Sequence, residues 1–225
     1  MNAATDGTNG RRRILLVDDH PLVREGLRIV IDETDDLLVC GDVADAARAQ
    51  AAVTTLMPDV VVVDISLGAV GDDGLALVKW ICAHHPATRS VVSSMHEERL
   101  YGERALRAGA SGYVSKTAAA SAVLEAIRRA ANGQLFFGQA LIDAMLQRTR
   151  SGRATERSPV DRLSDRELQV FRFIGQGLSS KEIASRLTVG ISTVDTYRER
   201  LKIKLGVVSG AELVHRATRW TLENP

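Results

Sequence analysis

Val60-Val61-Val62-Val63 is an unbroken β-branched run that stops on an acid, Asp64. Such a run presents apolar surface on both faces of a strand, and only a sheet covered on both sides can bury it. That implies a parallel sheet flanked by helices, and the surrounding sequence has the matching rhythm. Expected strands are Ile14–Val17, Leu37–Cys40, Val60–Val63, Val91–Ser94 and Gly112–Ser115. Expected helices run from Pro21 to about Glu33, then over Ala44–Leu56, Leu75–Ala83, Glu97–Ala108 and Ala119–Ala131. Pro21 suits a first helical turn, and Leu22, Leu27, Val30 and Ile31 are expected on the buried side of that helix. Five strand–helix units in succession give an α/β domain with a doubly wound five-stranded parallel sheet.

In such a sheet ligands bind beyond the C-terminal ends of the strands. Asp18, Asp19, Asp64, Ser94 and Lys116 all fall at expected strand ends. Any one of them alone reads as a turn, cap or surface residue; the ordered set converging on one edge is what carries chemistry. Clustered carboxylates repel one another unless a cation joins them. A hard oxygen set with room for a phosphate suits Mg²⁺. Asp64 is then placed to attack a phosphoryl donor, with Mg²⁺ and Lys116 stabilising the transferred charge and Ser94 turning in to bind the new oxygens.

The C-terminal third has a different pattern. Helical periodicity is expected over about Asp165–Gly175, Ser180–Leu187, Ile191–Leu205 and Gly210–Leu222, with no strand signal. A polar stretch at 147–162, with Gly, Ser and Pro, separates it from the sheet domain. Charge divides along the same line. Residues 1–133 hold 14 Lys+Arg against 18 Asp+Glu, a net of −4, and residues 134–225 hold 15 against 10, a net of +5, together the chain's +1. A basic half suits a polyanion such as nucleic acid. The second and third of these helices, joined around Thr188-Val189-Gly190, form a helix-turn-helix pattern. Val194, Leu201 and Leu205 recur at helical spacing and should face the core, with Tyr197 partly so.

Cys40 and Cys82 are isolated, which argues against thiol metal sites and a disulfide framework and fits a reducing compartment. No apolar run approaches the ~20 residues that cross a bilayer. The run after Arg11-Arg12-Arg13 is too short for a signal-peptide core, so a cytoplasmic location without membrane attachment is expected.

The strings VDDH, VVVVDI, VVSSM and SGYVSK together resemble the response-regulator receiver, a flavodoxin-like domain, over residues 13–133. The resemblance implies that Asp64 is the phosphoacceptor and that Asp18, Asp19, Asp64 and the Ser66 carbonyl hold Mg²⁺. It makes Ser94 the switch hydroxyl, Tyr113 its aromatic partner and Lys116 the lysine that pairs with phosphate. His96 lies beside this site. The family usually has Pro four residues after the acceptor and a Gly about four further on. Here position 68 is Gly, and the loop SLGAVGDDG is about two residues longer, adding Asp72 and Asp73. Two readings of the lengthened 68–73 loop stay open: a tolerated insertion, and added charge or mobility that changes phosphate lifetime.

The string LSDRELQVFRFIGQGLSSKEIASRLTVGISTVDTYRERLKIKLGVVSGAELV resembles the LuxR-type DNA-binding domain, a small four-helix helix-turn-helix unit, over residues 161–222. That resemblance puts Ser180, Lys181, Thr193, Asp195, Thr196, Arg198, Glu199 and Lys202 at the DNA surface. Position 195 is often Lys in the family. An acid such as Asp195 or Glu199 cannot pair with phosphate but can accept from cytosine N4.

The organisation expected is a disordered N-terminus at 1–12, a receiver at 13–133, a linker at 134–160 and the LuxR-type domain at 161–225. The combination resembles the NarL/FixJ response regulators, transcription regulators that are not enzymes. Implied partners are a sensor histidine kinase, promoter half-sites of double-stranded DNA and a second copy of the chain at least when phosphorylated, with RNA polymerase a further candidate. Two other readings stay open: a regulator controlled by a partner or ligand without phosphorylation, and an aspartate-dependent phosphatase. The phosphatase pattern is a spaced Asp pair after the first strand, whereas Asp18 and Asp19 are adjacent.

Overall fold

The computed structural model describes residues 10–67, 73–95, 98–139, 141–143, 145 and 159–223. The chain forms two compact units that part at Ser151/Gly152. In the first, strands β1 (Arg12–Val17), β2 (Leu37–Val43), β3 (Val60–Asp64), β4 (Arg89–Ser94) and β5 (Gly112–Ser115) alternate with helices α1 (Pro21–Asp32), α2 (Ala46–Leu56), α3 (Asp73–His84), α4 (Glu98–Ala108) and α5 (Ala120–Ala131). The sheet is parallel with order β2-β1-β3-β4-β5.

Every residue of β3 is buried, as its β-branched composition requires. Ile14, Leu16, Val60, Val62, Val91 and Val114 pack against Ile31 of α1 and Val123, Ala126, Ile127 and Ala130 of α5. Each fully buried aliphatic side chain of this kind stabilises the fold by roughly 1.5–3 kcal/mol. Asp45 caps α2 by accepting from the Arg48 amide at 2.8 Å.

Three expectations change. Leu22 is not on the buried side of α1; it is 88% exposed, while Leu27 and Val30 are half-buried and Ile31 is buried. At about 100° per residue, nine residues of separation from Ile31 turn Leu22 to the opposite side of the helix. The N-terminal tail ends earlier than residue 12: Arg12 opens β1, its amide donating to the Asp36 carbonyl at 2.8 Å. The first nine residues of that tail lie outside the described residues. Part of the segment expected as linker from 134 pairs with the sheet. Phe136 pairs alongside Gly112, its amide donating to Ser111 at 2.8 Å and its carbonyl accepting from Tyr113 at 2.9 Å.

The second unit begins with a short 3₁₀ turn, Pro159–Arg162, and continues through α6 (Asp165–Gly175), α7 (Ser180–Leu187), α8 (Ile191–Leu205) and α9 (Gly210–Glu223). Capping boxes open α6 (Ser164 with Glu167) and α7 (Ser179 with Glu182). Between α7 and α8, Thr188 takes a left-handed conformation at φ 54° and turns the chain. Val194, Tyr197, Leu201 and Leu205 are buried, so Tyr197 is a full core residue. Among the described residues, no helix is long and apolar enough to cross a membrane.

Candidate functional site

The order β2-β1-β3 reverses the winding of the sheet between β1 and β3, which opens a crevice beyond their C-terminal ends. Asp18 and Asp19 follow β1 directly, and Asp64 is the last residue of β3. Lys116 follows β5 and reaches across: its Nζ lies 2.5 Å from Asp18 Oδ2 and 2.8 Å from Asp64 Oδ2. The side chains of Asp18, Asp64 and Lys116 are 4%, 3% and 8% exposed. The Ser66 amide donates to Asp64 Oδ1 at 3.1 Å.

Electrostatics follow from that burial. Burial pushes the Asp64 carboxyl above its ordinary value, against the opposing pull of Lys116. Burial also works against the Lys116 ammonium, but Asp64 and Asp18 outweigh it and hold the lysine above its ordinary value. Three carboxylates facing one ammonium leave the pocket net negative. Ligand atoms of Asp18, Asp19, His20 and Asp64 all lie within 4.8 Å of one another. A carboxylate-rich oxygen set of that size fits a hard divalent cation.

Ser94, fully buried, ends β4, and its carbonyl accepts from the Lys116 amide at 2.7 Å. Tyr113 is buried on β5. Asp18, Asp19, Asp64 and Lys116 thus lie together beyond the strand ends, and Ser94 is joined to Lys116 through the backbone. His96 and residues 68–72 of the lengthened loop lie outside the described residues, as does the side chain of Asp73.

Two residues of this pocket were not singled out from the sequence. His20 caps α1; its amide donates to Asp18 Oδ1 at 2.9 Å and its Nδ1 sits 2.7 Å from Asp19 Oδ1. Its position directly after the acid pair was the available signal. Gly74 lies against the end of β3, where an added Cβ would stand 2.2 Å from the Asp64 carbonyl oxygen and 2.6 Å from Ile65 Cα. Only glycine allows so close an approach.

In the second unit Lys181, Asp195, Thr196 and Glu199 are exposed, whereas Ser180, Thr193, Arg198 and Lys202 are half-buried. Ser180 Oγ donates to Asp195 Oδ1 at 3.1 Å, and Lys202 pairs with Glu199 at 2.8 Å. Ser192, Arg200 and Ile203 are exposed on α8 as well, Ile203 at 80%. Lys204 reaches back to α6, its Nζ donating to the buried Glu167 Oε2 at 2.6 Å.

The model of the response regulator receiver domain matches residues 14–128. That of the bacterial regulatory proteins of the luxR family matches residues 161–217. The oxygen regulatory protein NreC of Staphylococcus aureus (strain JH9) is 31% identical over 211 residues, 92% of this chain and 97% of that protein. Among solved structures, a LuxR-family two-component response regulator from Aurantimonas sp. SI85-9A1 is 31% identical with a TM-score of 0.55, covering 62% of this chain and 99% of its own. RcsB of Salmonella enterica serovar Typhimurium, bound to promoter rprA with a phosphomimetic, shares the fold at 24% identity and a TM-score of 0.56, over 92% of this chain and 98% of its own.

Proposed function

The chain belongs to the DNA-binding response regulators of two-component systems, and on that premise we propose that Asp64 is its phosphoacceptor and that the phosphorylated pocket governs DNA binding by α7 and α8. The carrying observation is the buried Lys116 ammonium between Asp18 and Asp64. An isolated buried ammonium would be costly, and two acids, one just after β1 and one ending β3, compensate it. The same ammonium can follow a phosphoryl group placed on Asp64.

A sensor histidine kinase presents phosphohistidine. An Asp64 carboxylate oxygen attacks phosphorus, the O–P bond forms as the P–N bond breaks, and the imidazole leaves with the electron pair and picks up a proton. Asp18, Asp19, Asp64 and the Ser66 carbonyl would hold Mg²⁺, which would supply neutralising charge for the phosphoryl oxygens. Lys116 pairs with one of those oxygens. Ser94 and Tyr113 respond to the others, shifting the receiver between two populations.

A receiver over residues 13–133, extended to the Phe136 segment, thus controls a DNA-binding domain over 161–225. Ser180, Lys181, Thr193, Asp195, Thr196, Arg198, Glu199 and Lys202 make up the DNA surface, with Lys181 and the basic flank on phosphates. One small helical domain reads few base pairs, so two copies on paired half-sites form the working unit. These act on RNA polymerase at promoters in the cytoplasm, as a regulator and not as an enzyme.

The test is phosphorylation of the full chain with a small phosphodonor and Mg²⁺, wild type against Asp64→Asn, read by intact mass. DNA binding of each sample is measured at fixed salt. One phosphoryl group on wild type alone, with tighter DNA binding, is expected. No phosphoryl group on wild type, with DNA still bound, overturns the phosphoacceptor reading in favour of control by a partner or ligand.

A further inference from the structure

We propose that Asp195 sets the base preference of α8 by accepting a hydrogen bond from a cytosine amino group in the major groove, an inference that rests on the DNA-binding reading above. Val194, Tyr197, Leu201 and Leu205 fix the core side of α8. At about 100° per residue the opposite side carries Ser192, Asp195, Thr196, Glu199 and Ile203. No lysine or arginine lies at the centre of that side. Arg200 is exposed at one edge of that side, Arg198 and Lys202 are half-buried toward the other flank, and Lys204 is held by Glu167. The middle of the outward face of α8 is therefore acidic, hydroxylic and apolar, a composition suited to base edges, with the basic Arg200 at the edge away from Asp195.

The two acids on that face differ. Glu199 is ion-paired with Lys202 at 2.8 Å, so its charge is met locally. Asp195 is exposed in the first turns of α8, where a recognition helix meets bases. Its Oδ1 is held by the Ser180 hydroxyl at 3.1 Å, and Oδ2 has no partner among the described residues. The Ser180 tether spans two helices and orients the carboxylate before DNA arrives, which lowers the ordering cost of a contact. Since Ser180 is the first residue of α7, the carboxylate also lies by the positive end of that helix.

A fixed carboxylate has only acceptors. It is repelled by the guanine O6/N7 edge and by thymine O4. At adenine the amino group adjoins the N7 acceptor, which opposes the second oxygen. Cytosine N4 offers a donor without that neighbour. One base position in each half-site is thereby biased to cytosine.

The test selects double-stranded DNA from a random library with the full chain, treated with phosphodonor, as wild type, Asp195→Asn, Asp195→Ala and Glu199→Gln. Wild type is expected to enrich cytosine at one position per half-site by about fivefold to tenfold. Asp195→Asn should move that position toward adenine, the base an asparagine reads. Asp195→Ala should flatten the position and leave the others, and Glu199→Gln should retain the cytosine. Identical selected sites for wild type, Asp195→Asn and Asp195→Ala would overturn the assignment while leaving DNA binding intact. Absence of sequence-selective binding by every protein, wild type included, would overturn the DNA-binding reading and the inference with it.

Discussion

Lys116 Nζ lies within 3 Å of carboxylate oxygens from two strands, Asp64 Oδ2 at 2.8 Å on β3 and Asp18 Oδ2 at 2.5 Å beyond β1. The ammonium pairs with two of the acids that would hold a divalent cation, and so competes with it for their charge. Lys116→Ala should therefore bind Mg²⁺ at least about fivefold more tightly, since a unit charge ~4 Å away is worth ~1 kcal/mol even in water. Without metal the variant should lose about 3 kcal/mol of stability, because two buried acids lose their cation. Added Mg²⁺ should restore part of that loss by linkage. Calorimetric titration and urea unfolding measure both; an Mg²⁺ affinity equal to wild type would refute the shared-cation picture.

Gly74 and Gly26 predict opposite outcomes for one substitution. An alanine Cβ at position 74 would meet backbone atoms of Asp64 and Ile65 within 2.6 Å, and backbone cannot swing away. Gly74→Ala should destabilise by about 3 kcal/mol and lower the phosphorylation yield by displacing the end of β3. Position 26 on α1 has nothing within 4 Å of an added Cβ. Gly26→Ala should stabilise by ~0.5–1 kcal/mol through helix propensity. Equal effects at the two positions would count against the close approach of Gly74 to β3.

Sequence pattern carried the strand-end acids and Lys116 because each follows an apolar run whose end is visible in the chain. It did not carry features made by the third dimension. Leu22 looked like a core residue because it is apolar and precedes Leu27, yet its angle on the helix faces it outward. Counting 100° per residue from Ile31 would have shown this. On α8 the same count separates half-buried Arg198 from exposed Arg200, two positions apart and both basic. The Lys204–Glu167 pair joins residues 37 apart, and the Phe136 pairing is made by backbone groups that no side-chain pattern reports.

Asp36 and Arg128 give the first unit a measurable pH dependence. The guanidinium donates twice to the carboxylate, at 2.7 and 2.8 Å, tying α5 to the turn before β2. Hydrogen bonding and charge from Arg128 hold the Asp36 pKa at about 2, below its ordinary 3.8. A lowered folded-state pKa contributes stability that is present above 3.8 and lost as the pH falls toward 2. The side chains are 51% and 40% exposed, so solvent screening keeps the gain under ~1 kcal/mol. Carboxyl NMR titration should place the Asp36 midpoint near 2, and Arg128→Ala should return it toward 3.8. An unchanged midpoint in that variant would rule Arg128 out as the cause.

Phe136 tests where the receiver ends. It lies three residues past Gly133, yet it hydrogen-bonds both ways along β5, and its half-buried ring packs on the sheet core below the Arg129 guanidinium, 5.6 Å away. Two residues on, the Gly138 amide donates to Glu98 Oε1 on α4 at 2.6 Å. The segment thus covers the open edge of β5, the strand that bears Tyr113 and leads into Lys116, and an uncovered edge would invite pairing with another chain. Phe136→Ala keeps the backbone bonds and removes the ring, so it should cost about 2–3 kcal/mol, less than a fully buried phenylalanine. In wild type the Tyr113 and Phe136 amides should resist hydrogen exchange as strongly as those of β4, because opening them requires stripping the sheet edge. If the Phe136 amide instead exchanges as fast as an unstructured one, the linker starts at 134 and β5 is a bare edge.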